Sequence, residues 1–126
     1  MERVYNILLE DKLIGITALE KADAPMGVVF GQIRFIDIQK PYDFIKSYCK
    51  KNKIEFEDYP ANKLISTRTI PALRVFNDKG QEIKGNGNQI SGMDSDSYEL
   101  TIEGIPYPFY AEEFPTHVRA SERRFD

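Results

Sequence analysis

The chain contains one histidine, His117, and one cysteine, Cys49, so nucleophilic or metal chemistry would have to be built on one of them or on carboxylates. Glu112 and Glu113 precede His117, but a zinc site of the H-E-x-x-H kind needs a second histidine on the same helical face. A thiol–imidazole dyad of Cys49 and His117 meets a different objection. Cys49 falls in phase with Phe44, Ile45 and Tyr48 on the apolar face of a helix, where a thiol packs and does not react. Asp94-Ser95-Asp96-Ser97-Tyr98-Glu99 is rich in calcium-type ligands, but a calcium loop needs glycine at its sixth position and glutamate at its twelfth. Glu99 and Ile105 stand there instead, and Asp and Ser before a strand are ordinary turn residues. Gly85-Asn86-Gly87-Asn88 would offer backbone amides to a phosphate. With Lys84 as its only adjacent cation and no helix after it, it reads as a turn. Glu99 and Glu103 share one face of a strand, a spacing too common to mark an acid–base pair. No cofactor or metal is implied.

Charge is unevenly spread. Residues 40–53 hold Lys40, Lys46, Lys50, Lys51 and Lys53 against Asp43, a segment of +4. Residues 85–118 hold no Lys or Arg, and Asp94, Asp96, Glu99, Glu103, Glu112 and Glu113 give −6. Interleaved with these acids are Tyr107, Phe109, Tyr110 and Phe114. Acids with aromatics suit a cationic protein surface, so Asp94, Asp96, Glu99, Glu103, Tyr107, Tyr110, Glu112 and Glu113 form the candidate binding set. The lysines, by contrast, sit on the solvent face and at the dipole-favoured end of a helix, which accounts for them without a ligand.

These residues belong to a chain of 126 residues with net charge −3, a size that fits one domain. A pI near 5.3 argues against a general nucleic-acid binder. A single cysteine excludes an internal disulfide. No apolar run reaches membrane-spanning length, and Glu10, Asp11 and Lys12 interrupt the first apolar stretch too early for a signal peptide. The expectation is a cytoplasmic protein, a monomer or weak homo-oligomer, with neither a nucleic-acid nor a membrane partner.

The elements that must position the candidates follow from periodicity. Residues 3–9 and 13–19 are β-prone runs across the polar Glu10-Asp11-Lys12, a hairpin pattern. Residues 20–27 read as a loop and 28–38 as a central strand. Residues 41–52 form the clearest helix, with Pro41 at its start, Asp43 in its first turn and Lys50 and Lys51 in its last. Its buried face is Phe44, Ile45, Tyr48 and Cys49, with Lys46, Lys50 and Lys53 toward water. Residues 54–58 make an acidic edge strand, 64–70 extend, and 73–76 with 81–84 form a second hairpin around Gly80. Residues 85–92 read as a turn-rich loop. Tyr98, Leu100 and Ile102 alternate inward against Glu99, Thr101 and Glu103. Two prolines near residue 107 forbid a central strand there, and Pro115 limits any helix in 111–120. No internal repeat is visible. The fold expectation is α+β: an antiparallel sheet of about six or seven strands with one main helix, about 41–52, packed on one face. It fills residues 1–120 and leaves a polar tail at 121–126.

Leu13-Ile14-Gly15, Leu19-Glu20, Ala22-Asp23 and Pro25-Met26-Gly27-Val28-Val29-Phe30-Gly31 resemble an N-terminal pattern, L-I-G…L-E…D-x-P-M-G-V-x-F-G, of a family of small uncharacterised bacterial proteins. The resemblance covers about the first quarter of the chain and implies a bacterial source. It implies no activity. Physically, Pro25, Gly27 and Gly31 suit a tight loop into a strand.

Three readings follow. The leading one is a non-enzymatic binding protein, such as an immunity protein that neutralises a basic toxin domain through the acidic, aromatic surface. The second is a small-ligand or enzymatic domain with a pocket between helix and sheet, lined by Tyr48, Tyr107 and Tyr110 and served by His117. The third is an adaptor that self-associates through the 54–58 edge.

Overall fold

The apolar runs around Glu10 and Asp11 form the expected hairpin, β1 (Tyr5–Leu9) and β2 (Lys12–Thr17). Both turn residues have positive φ, 51° and 64°, the backbone that lets a two-residue turn follow the right-handed twist of its strands. The structure is a computed structural model that describes residues 3–123. After β2 come β3 (Lys21–Asp23), a 3-10 turn at Ala24–Met26, β4 (Val28–Gln32), β5 (Arg34–Phe35) and helix α1 (Pro41–Lys51). Then follow β6 (Phe56–Tyr59), a second 3-10 turn at Pro60–Asn62, β7 (Leu64–Thr67), β8 (Leu73–Phe76), β9 (Gly87–Met93) and β10 (Tyr98–Glu103). Helices α2 (Phe109–Glu113) and α3 (Pro115–Arg123) close the chain.

The architecture is α+β, but the single expected sheet is two antiparallel sheets. One has the order β5-β2-β1-β8 and the other β3-β4-β10-β9-β7-β6. The division occurs inside the apolar run at 28–38, which is not one strand. Ile33 donates its N–H to Tyr98 O (2.8 Å), in the six-stranded sheet, and three residues on Ile36 donates to Ile14 O (2.9 Å), in the four-stranded one. A run rich in Val, Ile and Phe marks an extended segment and carries no mark of which sheet each residue joins. Tyr5, Ile7, Leu73 and Val75 from one sheet and Val29, Ile65, Ile90, Leu100 and Ile102 from the other share one buried cluster.

Two segments expected as loops are strands. Residues 21–23 form the edge strand β3. The expected loop at 85–92 contains most of β9, a seven-residue strand between β7 and β10. Only Ile90 of β9 is fully buried, so its Gly and Asn content hid a strand that register with two neighbours holds in place. The C-terminal segment is also more helical than Pro115 suggested. Proline occupies the first position of α3, where its missing N–H costs nothing. That helix extends to Arg123, past the expected start of the tail, and 124–126 lie outside the described residues.

The expected acidic edge strand is present as β6. The six-stranded sheet has the same hairpin at both ends. The residue before each 3-10 turn has φ, ψ of −124°, 83° (Asp23) and −124°, 81° (Tyr59), and the residue after it is left-handed, Gly27 and Lys63. The residue types, Ala-Pro-Met-Gly and Pro-Ala-Asn-Lys, conceal the likeness. In α1, Ile45 and Cys49 are buried as expected, joined by Tyr42, whereas Phe44 and Tyr48 are half-buried. Lys46 does not point free to water, because it pairs with Asp58 of β6 at 2.8 Å.

Candidate functional site

Folding disperses the acidic, aromatic set. Asp94 turns toward α1, accepting from the Tyr42 N–H (3.0 Å) and the Tyr98 hydroxyl (2.8 Å). It caps a helix whose own N-cap residue, Lys40, has no capping side chain. Glu113 lies inside a polar cluster. Its Oε2 accepts from the Tyr5 hydroxyl (2.9 Å) and Arg3 (3.1 Å), and its Oε1 from the Asn77 carboxamide (3.2 Å). Burial first, and then the Glu113 carboxylate, push the Tyr5 phenol well above its usual range. Tyr110 has no exposed surface and donates to Val28 O (2.9 Å), so it is a core residue and offers nothing to a partner. Tyr107 stacks on it with ring centroids 5.1 Å apart and donates to Ala24 O, leaving one face of its ring in water. Asp96, in the β9–β10 turn, and Glu112, on α2, remain exposed.

Glu99 and Glu103 stay on the surface, and the register brings a further acid to them. Residues directly opposite in antiparallel strands present side chains on the same face. Glu57 lies opposite Ser66, Ser66 opposite Ser91, Ser91 opposite Glu99, and Glu99 opposite Gln32. Tyr59, Leu64 and Met93 form the next row. Glu103 lies on the same face as Glu99, two pleats along β10. This is the outer face of the sheet, since α1 reaches the inner side through Tyr42 and Asp58. Glu99 carries one ion pair, to Lys21 at 3.0 Å. The row crosses five strands with its acids on β6 and β10, and Glu57 lies outside the sequence candidates. Alternation in β6 was its only available signal.

A second concavity surrounds Glu20, at the β2–β3 link. Three adjoining depressions, about 410, 250 and 270 Å³ in volume, are all lined by Glu20. Leu19 is buried at φ 47°, and its N–H is taken by the Thr17 hydroxyl (3.2 Å). The Glu20 carboxylate accepts from the Gln32 N–H at 2.9 Å. This path requires a glycine opposite: a Cβ on Gly31 would lie 2.7 Å from Glu20 Oε1 and 2.8 Å from Leu19 Cα. Gly27 is likewise fixed, since it is left-handed (φ 70°) and its Cβ would lie 2.7 Å from Ile105 O. Leu19, Glu20 and Gly31 of the N-terminal pattern therefore shape this link, and Gly27 packs against Ile105.

His117 lines two of the three depressions with Glu20. Its Nε2 is 2.8 Å from Leu19 O. A carbonyl only accepts, so Nε2 carries a hydrogen and donates it to Leu19 O. The ring lies against Phe114 at 5.7 Å. The tyrosines expected to share a pocket with it are engaged separately, Tyr48 with Glu10 (2.8 Å) and the stacked Tyr107 and Tyr110 with backbone carbonyls. Cys49 is fully buried, and burial pushes its thiol up to about 11, which keeps it protonated at neutral pH. Among the described residues no three of His, Cys, Asp and Glu gather as a metal site requires, and no helix is long and apolar enough to cross a membrane.

Compared with family models, curated proteins and solved structures, the chain finds no match.

Proposed function

We propose that this is a non-enzymatic bacterial protein that binds a basic protein partner over the outer face of the six-stranded sheet, as an immunity protein would hold a basic toxin domain. The cross-strand row from Glu57 through Ser66 and Ser91 to Glu99 supports it, with Glu103 beyond and Tyr59, Leu64 and Met93 beside it. Such a face carries its acids at intervals with small serines between them and Tyr59, Leu64 and Met93 in the next row, a composition that steers a cationic surface and then gives it contact area. Lysines of the partner would displace Lys21 from Glu99, an exchange that conserves the ion pair.

The test is co-purification with the product of the adjacent gene, followed by binding kinetics of the triple variant Glu57→Lys, Glu99→Lys, Glu103→Lys. Charge reversal is expected to slow association most, weaken the complex by about a hundredfold or more, and reduce its salt dependence. A complex of unchanged affinity, or none with any neighbouring product, would remove this reading.

A further inference from the structure

The largest of the three depressions lies at the Ile33 crossover, with Val4, Ile16 and Ile33 as its apolar lining and Glu20 and Arg34 as its charged one. Its volume of about 410 Å³ is within the range of small-ligand sites. Glu20 and Arg34 are exposed and carry opposite charge in one groove, yet neither forms an ion pair with the other or with any other described residue. The Gln32 N–H holds the Glu20 carboxylate through Oε2. The backbone of Arg34 pairs opposite Ile16, and its exposed guanidinium reaches the groove from that strand. A carboxylate only accepts and a guanidinium only donates. A simple amine or a simple acid would therefore satisfy one of them and leave the other as it is.

We infer that this groove binds a small zwitterion of the aliphatic α-amino-acid class. The ligand ammonium sits on Glu20, its carboxylate takes the two-pronged donor set of Arg34, and its side chain covers Val4, Ile16 and Ile33. Neither Glu20 nor Arg34 belongs to the acidic row proposed above for a protein partner, so the two proposals stand or fall separately.

The experiment is an amide-shift NMR titration of the full chain with free L-leucine, and with N-acetyl-L-leucine and L-leucinamide as analogues that each lack one charge. Leucine is expected to move the Thr17, Gln32 and Arg34 amides along a saturating curve. Each analogue is expected to bind at least tenfold more weakly, as are the variants Glu20→Gln and Arg34→Gln. Glu20→Gln keeps a carbonyl oxygen for the Gln32 N–H, so its spectrum should stay dispersed. Should either variant lose its fold, the analogue comparison on the native chain decides alone. Shifts that never saturate, or an analogue that binds as well as leucine, would overturn the inference.

Discussion

Gly31 shows how one missing side chain can set the shape of a concavity. Its Cβ position is occupied by the Thr17 hydroxyl, the Glu20 carboxylate and the Leu19 backbone, all within 2.8 Å. Gly31→Ala should therefore lower stability by about 1–3 kcal/mol through overpacking, read as a lower urea midpoint at constant m-value. An unchanged midpoint would mean that the β2–β3 link moves freely aside. A second residue-level outcome concerns pH. Hydrogen bonds from Lys46, and next from Tyr42, hold the Asp58 carboxyl below its ordinary value. A carboxyl with a depressed folded-state pKa stabilises the fold above its unfolded value, about 3.9, and loses that contribution as pH falls through the lower folded value. Asp58→Asn should accordingly lower the melting temperature at pH 7, and the gap to the native chain should close as the pH falls below about 4. A gap that stays constant with pH would assign the loss to packing. Neither effect was legible in the sequence. The pattern around Gly31 stood out as a motif, but the atoms that need its hydrogen come from β2 and the link, more than ten residues earlier. Asp58 was readable only as a guard on an edge.

Among the elements, α1 was the most legible, because Pro41, Asp43, Lys50 and Lys51 mark its two ends locally. Its cap was not legible. Asp94 accepts the Tyr42 N–H from 52 positions further along the chain, and no local signal distinguishes such a residue from the other aspartates of a turn. Removing it in Asp94→Ala leaves that N–H without its acceptor and the Tyr98 hydroxyl with only Lys63 O, at 3.5 Å, at a cost of about 1–2 kcal/mol. Hydrogen exchange at the Tyr42 amide is the direct measurement. It should accelerate in Asp94→Ala more than amides in the middle of α1 do, and uniform acceleration would count against a cap. The same distinction between local and distant determinants explains the strands. Tyr98–Glu103 alternates cleanly and was read correctly, whereas β9, with one fully buried side chain, is defined by its neighbours.

At the scale of the molecule, the six-stranded sheet treats its two like ends differently. On β3 the C-terminal segment closes over the edge, with α3 packed on β3 and its 3-10 turn, His117 bonded to Leu19 O and Tyr107 to Ala24 O. On β6 the free edge carries exposed Glu57 instead. Two copies pairing antiparallel through β6 would set these acids against each other, which is unfavourable. Glu57→Val is expected to raise the weight-average mass in light scattering with increasing concentration, while the native chain stays flat; identical profiles would show that charge does not guard this edge. The α+β class and the acidic edge are legible in the sequence. The second sheet is not, because strands that are neighbours in sequence part company at Ile33. That crossover also governs how the chain comes apart. The four-stranded sheet draws β5 from the segment just after β4, and β8 from the segment between β7 and β9. The two sheets thus interleave along the chain and share one buried cluster. Unfolding should therefore be a single cooperative step, with backbone and tyrosine signals following one curve in denaturant; two separated transitions would show that the sheets are independent folding units.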